Sequence, residues 1–350
     1  MTDAQQYIDT LWAKGREFLG TRYAIMAGAM TWVSERKLVS AISNAGAFGV
    51  LACGSMPPDI LRAEIEATKA LTDNPFGVNL IVMHPQLEEL ADICIEQNVT
   101  HVVLAGGVPK KEIIERLHNG GCKVLALPPT LALAKRFVRS GVDALIIEGM
   151  EAGGHIGPVS LGVLAQEILP HITDVPVFVA GGIARGESMV SYLEMGAAGC
   201  QMGTLFVASE ECVAHEKFKK AFVRAGARDA VTTVQLDPRF PVIPVRALSN
   251  EGSQEFMAKQ KEVIGKFESG ELDMMAAQLE IEHFWAGSLR RAVQDGDVES
   301  GSVMAGQSVG MIKEVRSVDK IVEGFVSQAL ESVSKRHDGM GGSAETLAVG

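Results

Sequence analysis

The chain has 350 residues, enough for about two average domains or for one large α/β barrel carrying an extra lobe. Hydrophobic residues are 47% and charged residues 21%, a globular balance that supplies a sizeable core, and 37 glycines without a G-X-Y period exclude a collagen-like chain. The net charge of −11 argues against nucleic acid and against anionic membrane surfaces as partners, so neither is expected.

The five cysteines, Cys53, Cys94, Cys122, Cys200 and Cys212, are widely spaced and contain no C-x-x-C pair. An odd, scattered set fits reduced thiols in a cytoplasmic protein better than a disulfide framework or a zinc site. The first twenty residues carry early polar and acidic side chains, so no secretory signal is expected. No window of about eighteen residues is free of charged or Gly-rich interruption, and no membrane span is predicted.

Short apolar runs recur along the first 205 residues: Tyr23–Ala27, Phe48–Ala52, Phe76–Val82, His101–Ala105, Lys123–Leu127, Asp143–Ile147, Pro176–Ala180 and Gly199–Met202. Most are continuous rather than alternating, as expected of parallel strands buried on both faces. Helical stretches lie between them. Ser34 is placed to cap Glu35–Asn44, and Pro57 and Pro58 open Asp59–Leu71, where Ile60, Ala63, Ala67, Ala70 and Leu71 form the expected buried stripe. Pro109 precedes Lys110–His118, and Gly141 and Gly196 follow Thr130–Arg139 and Glu187–Glu194. Eight strands alternating with helices predict an α/β fold of the (β/α)8 TIM-barrel type. A doubly wound open sheet is the rival, but the dinucleotide fingerprint it would carry after the first strand is missing.

After Phe206 the rhythm stops. Residues 210–250 read as irregular, with Pro238, Pro241 and Pro244 around Arg239, and helices follow near Ser253–Phe267 and Met274–Val293. The Gly-rich segment Gly296–Gly310 leads to a last helix near Val318–Lys335. The expected organisation is a barrel over residues 1–209 completed by 301–336, a small, mainly helical substrate-side lobe over 210–300, and a disordered tail over 337–350.

In such a barrel the active site is built at the C-terminal ends of the strands. Those ends are Ala27-Gly28-Ala29-Met30, Cys53-Gly54, Asn79, Ala105-Gly106-Gly107, Pro128-Pro129-Thr130, the stretch Glu148–Gly157, Ala180-Gly181-Gly182 and Met202-Gly203-Thr204. Gly181, Gly182 and Gly203 offer bare backbone N–H groups, and with the Thr204 hydroxyl they form an expected phosphate nest after strands seven and eight. Tight βα turns are the alternative reading of those glycines.

His155 is the candidate acid/base, because it alone among the eight histidines falls in a Gly-rich loop at a strand end. His84, His118, His171, His215 and His283 fall on helices or turns, His337 in the tail, and His101 at the N-terminal end of strand four. Glu148 and Glu151 flank the same loop, one of them as a loop-positioning group or both as solvated or capping carboxylates. No H-E-x-x-H or paired-carboxylate spacing occurs, so no metal is expected. Cys200, inside strand eight, reads as an inert buried thiol, and Phe284 and Trp285 as core. Lys217, Lys219, Lys220 and Arg224 read as a solvated face. Arg246 stands where it can reach an anionic substrate.

The motifs EGMEAGGHIG (Glu148–Gly157), AGGIA (Ala180–Ala184) and MGT (Met202–Thr204) resemble the nitronate monooxygenase (2-nitropropane dioxygenase) family, including its enoyl-acyl-carrier-protein reductase II branch. The similarity extends over SNAGAFGVL (Ser43–Leu51), PFGVNL (Pro75–Leu80), VRALSN (Val245–Asn250) and GDVESGSVMAGQ (Gly296–Gln307). It implies non-covalent FMN at the barrel mouth, with the phosphate on Gly181, Gly182, Gly203 and Thr204. Ala27, Gly28, Asn79, Glu148, Gly153 and Gly154 would complete the cofactor contacts, and His155 would face the substrate. Ala27 and Ala29 depart from the Gln and Gly common at those positions. The resemblance implies first the oxidation of alkyl nitronates or nitroalkanes with O2, with NAD(P)H-dependent reduction of an enoyl thioester as the alternative activity. The partners are then a small-molecule or acyl-thioester substrate, with a homodimer compatible. A non-catalytic flavin-binding module is the alternative of a different class.

Overall fold

The apolar runs become strands because neighbouring β-branched segments satisfy one another's backbone groups while helices cover the outer face. The computed structural model describes residues 2–54, 56–234, 236–237 and 244–346, leaving the side chains of Glu282, His283, Trp285, Ala286 and 337–346 outside that description. The barrel strands are β1 (Ile25–Ala27), β2 (Gly49–Ala52), β3 (Phe76–Ile81), β4 (His101–Ala105), β5 (Lys123–Ala126), β6 (Ala144–Glu148), β8 (Val177–Ala180) and β9 (Gly199–Met202). All pair in parallel, in the order β1-β9-β8-β6-β5-β4-β3-β2. The ring closes between β1 and β2, where the Ala27 N–H donates to the Phe48 carbonyl and the Phe48 N–H to the Ile25 carbonyl, both at 2.8 Å. The fold is therefore the expected TIM barrel.

Helices α1 (Asp3–Leu11) and α2 (Ala13–Leu19) precede the barrel. Its wall is α3 (Arg36–Asn44), α4 (Pro58–Lys69), α5 (Leu87–Glu96), α6 (Lys111–Asn119), α7 (Leu131–Arg139), α8 (Leu161–Ile168) and α9 (Gly186–Glu194). Two local expectations are corrected. Glu35, not Ser34, caps α3 by accepting from the Lys37 and Leu38 N–H groups. The Ser34 hydroxyl instead donates to the Gly28 carbonyl and accepts from the Met30 N–H, fixing the loop after β1. The buried face of α4 is Leu61, Glu64, Ile65 and Thr68, while Ile60 and Leu71 are 45% and 49% exposed. An Arg36–Glu64 ion pair and a Thr68 hydroxyl bonded to the Glu64 carbonyl make that polar stripe buriable, which hid it from a reading by hydrophobicity.

After β9 come α10 (Thr204–Val207) and α11 (Glu216–Arg224), then β10 (Ala230–Thr232) and β11 (Val245–Leu248). Lys219 of α11 is buried and donates to the Ser209 carbonyl at 3.1 Å, so the expected solvated face lacks it. Pro238, Arg239 and Pro241 lie outside the described residues. Strands β10 and β11 pair antiparallel, and β11 also pairs with β7 (Gly154–His155). The stretch after β9 thus contributes two strands to a small sheet beside two helices, α12 (Glu251–Glu268) and α13 (Met274–Arg290). Val245, Phe256, Val263, Ala277 and Ile281 form its own apolar core, with Phe284 packed against them. Helix α14 (Val318–Thr346) returns to the barrel wall against α9. The expected tail, 337–350, falls on residues whose side chains, and from 347 the backbone too, lie outside the description, as does the Trp285 side chain.

Candidate functional site

The site forms where three glycine-bearing loops leave the C-terminal rim. Strand β6 ends at Glu148, in register with Ala180 of β8, and the Gly149 N–H continues the ladder to the Ala180 carbonyl at 2.9 Å. The chain then turns sharply, the Ala152 N–H donating to the Gly149 carbonyl at 3.1 Å. Both Glu151 carboxylate oxygens accept from the Leu161 N–H, at 3.2 and 3.0 Å, which settles Glu151 as the cap of α8. The loop next crosses to the lobe, where His155 pairs with Val245, Gly154 with Arg246, and the Ile156 N–H reaches the Pro244 carbonyl at 2.9 Å.

The glycine turns stand against this loop. Gly181 and Gly182 follow β8 with φ of +94° and +70°. A Cβ on Gly181 would lie 2.8 Å from the Gly149 carbonyl oxygen, so only glycine lets the two loops touch. Gly203 follows β9, and the Thr204 hydroxyl accepts from the Gly306 N–H at 3.0 Å, which leaves its own hydrogen free to donate. Gly28 lies beside Gly203, a Cβ there standing 3.6 Å from the Gly203 Cα. Gly153 meets the returning Gly-rich segment so closely that a Cβ would lie 2.6 Å from the Gly306 nitrogen.

The structure thus brings His155, Glu148, Gly153, Gly154, Gly181, Gly182, Gly203, Thr204 and Gly28 to one rim. Ala27 and Asn79 sit deeper. Ala27 is buried as the last residue of β1, and Asn79 is two residues inside β3 rather than at its end, with its Nδ2 donating to the Val103 carbonyl at 3.4 Å. The segment around Gly306 and Gln307 also reaches the rim, the Gln307 N–H donating to the Glu151 carbonyl at 2.9 Å. Only the glycine density of GSVMAGQSVG hints at this in the sequence. Arg246 was legible as a charge but not as a strand residue.

The electrostatics of the rim follow from burial. Glu148 keeps some solvent access, yet the surrounding protein desolvates its carboxylate and pushes the pKa up to about 7, an effect the neighbouring His155 charge opposes. His155 is exposed. By contrast His101 is buried at the far end of β4, with its ring nitrogens engaged by Thr100 and the Phe18 carbonyl, and burial lowers its pKa to about 4. It is a neutral core histidine. Burial raises all five thiols, Cys53 to about 12 and Cys212 to about 11, so none is a nucleophile at neutral pH. Among the described residues no cluster of His, Cys, Asp or Glu could hold a metal ion, and no helix is long and apolar enough to cross a membrane.

A TIM barrel whose strand ends carry one exposed imidazole opposite paired glycine turns defines the class: a barrel enzyme with its chemistry at the C-terminal mouth. The chain belongs to the nitronate monooxygenase family, whose model matches residues 14–328, and is accordingly an oxidoreductase. It is 30% identical to the (3aS,4S,5R,7aS)-5-hydroxy-7a-methyl-1-oxo-octahydro-1H-indene-4-carboxyl-CoA dehydrogenase of Mycobacterium tuberculosis, over 90% of this chain and 95% of that one. A probable nitronate monooxygenase of Staphylococcus saprophyticus is 27% identical, over 91% and 97%. Among solved structures, FabK from Thermotoga maritima superposes with a TM-score of 0.82 at 36% identity, covering 92% of this chain and 97% of that one. The nitroalkane oxidase of Streptomyces ansochromogenes gives 0.74 at 26%, covering 90% and 98%.

Proposed function

We propose that the chain is an FMN-dependent oxidoreductase that exchanges a hydride with a carbon of an acyl thioester, using NAD(P)H as the reductant, with His155 handling the accompanying proton. The observation that carries the reading is the contact of the His155 loop with the glycine turn after β8, Gly149 against Gly181, which sets proton chemistry beside an anion cradle. The thioester is favoured by the relative that acts on a carboxyl-CoA and by the 36% identity to FabK.

The residues fit such a cofactor, since Gly181 and Gly182 turn at the rim in left-handed backbone and carry no side chain there. Bound FMN supplies the two-electron chemistry. The Gly181, Gly182 and Gly203 N–H groups and the Thr204 hydroxyl would hold its phosphate. Gly28 and Gly154 would border a planar ring, Gly153 would hold the loop beside it against Gly306, and Ala27, Asn79 and Glu148 would line the floor below it. A carboxyl with a pKa near 7 is half protonated at neutral pH, so Glu148 can donate a hydrogen bond as well as accept one. Residues 210–300 would act as the substrate-side cover, and the five unpaired thiols fit a cytoplasmic enzyme.

A second reading, oxidation of alkyl nitronates or nitroalkanes with O2, is favoured by the family model and by the nitronate monooxygenase relatives. His155 would then take the proton from a neutral nitroalkane. Anaerobic mixing of the yellow protein with NADH, NADPH or propionate 3-nitronate separates the two. Rapid bleaching by a nicotinamide, reversed by crotonyl-CoA, is the expected result, whereas bleaching by the nitronate alone selects the second reading. His155→Ala should slow turnover about 10²–10⁴-fold with flavin retained. A colourless protein that cannot be reconstituted with FMN would overturn both.

A further inference from the structure

We propose that Arg246 is an oxyanion-binding residue of this site, taking the substrate oxygen on which negative charge gathers. The inference rests on the oxidoreductase reading above but on different observations. Arg246 is only 4% exposed. Its Nε donates to the Met150 carbonyl at 3.0 Å and its Nη1 to the Ala230 carbonyl at 2.5 Å. Those two bonds fix the plane of the guanidinium against the loop that carries His155, and Arg246 is the strand partner of Gly154.

What the arginine lacks is a counter-charge. Among the described residues no carboxylate lies within ion-pair distance of it. Glu151 interacts with it only at longer range, and both Glu151 oxygens are engaged at the start of α8. Nη2 makes no hydrogen bond to a described residue. A buried cation held by two neutral carbonyls is costly, and structural arginines in protein interiors are normally paired. An arginine fixed at two nitrogens, with the third open, presents a preorganised donor to a planar oxygen acid or an enolate. In the thioester reading that oxygen is the thioester carbonyl, and in the nitronate reading it is a nitro oxygen. The chemistry recognised is the same.

Inorganic nitrate, a stable planar oxyanion, is the probe. At constant ionic strength it should raise the melting temperature of the wild-type protein above the chloride control, by mass action on the native state. Arg246→Met should weaken nitrate binding at least about tenfold, while Arg246→Lys, which keeps the charge but cannot hold both carbonyls, should retain part of it. If Arg246 only ties down the loop, the two variants will fail alike and nitrate affinity will not follow charge. No nitrate effect on the wild type, or an equal effect on Arg246→Met, overturns the proposal. Steady-state kinetics then assign the source: Arg246→Met should lower kcat/KM for crotonyl-CoA or for propionate 3-nitronate, and loss with neither also overturns it. Nitrate binding through Arg246 in a protein that turns over neither substrate would leave this site standing and remove the substrate reading instead.

Discussion

Glu148 shows how far one residue's chemistry can be set by its neighbours. In the sequence it is one carboxylate among 43 acidic residues, and nothing local separates it from Glu151 three positions on. In the structure Glu151 is a helix cap, while Glu148 is the last residue of a central strand, where burial raises its pKa to about 7. A carboxyl with a raised pKa binds its proton more tightly folded than unfolded. The native state is therefore favoured below the ordinary glutamate range, and that advantage is lost as pH rises from about 4.5 through about 7. A shift of this size corresponds to about 3 kcal/mol, an upper figure for a group with some solvent access. Glu148→Gln keeps the shape and removes the titration. Melting temperatures measured between pH 5 and pH 8 should show the wild type losing ground to the variant as pH rises. A gap that stays constant across that range would mean that Glu148 ionises without cost.

Elements were legible in the sequence where one physical rule governed them. The eight barrel strands stood out because both of their faces are buried, and their observed ends fall within two residues of the expected ones. The hairpin of the lobe did not stand out. Strands β10 and β11 have three and four residues, and their partner β7 has two and lies some ninety residues away in the chain, so no local pattern betrays the pairing. The glycine turns were legible as turns, and their contacts add a test. Gly181→Ala must adopt φ near +94° and set its Cβ 2.8 Å from the Gly149 oxygen. The conformation alone costs about 1–2 kcal/mol, and overpacking adds about 1–3 kcal/mol. Gly157, at the end of the loop that carries Gly149, has open space around its Cβ position and no left-handed backbone. Gly181→Ala should therefore lower the melting temperature and weaken FMN binding, with Gly157→Ala close to wild type. Equal behaviour of the two would show that the Gly149–Gly181 contact does not hold the rim together.

At the scale of the whole molecule, the barrel and the β10–β11 sheet are joined through the loop that carries His155. The candidate histidine was legible from its Gly-rich setting, but its support was not, because that support is β11, the central strand of the small sheet, whose Val245 packs in a second apolar core. His155 is in register with Val245, which packs with Phe256 in the lobe, and Arg290 at the end of α13 stands 5.5 Å over the ring of Trp32 in the loop after β1. A loss of packing around Val245 and Phe256 should thus reach the imidazole without passing through the glycine turns after β8 and β9. Phe256 and Phe137 allow a matched comparison, being 1% and 2% exposed, the first under β11 and the second on α7 of the barrel wall. Either change to alanine should cost about 3–5 kcal/mol in the core it leaves. Phe137→Ala should lower the melting temperature and leave kcat nearly unchanged at temperatures where the protein is folded. Phe256→Ala should lower kcat several-fold in protein that still holds its flavin, since a loosened β11 no longer fixes the strand that presents His155. If both variants lost stability while kcat held in each, the lobe would be a cover independent of proton transfer, and the position of His155 would be set by the barrel alone.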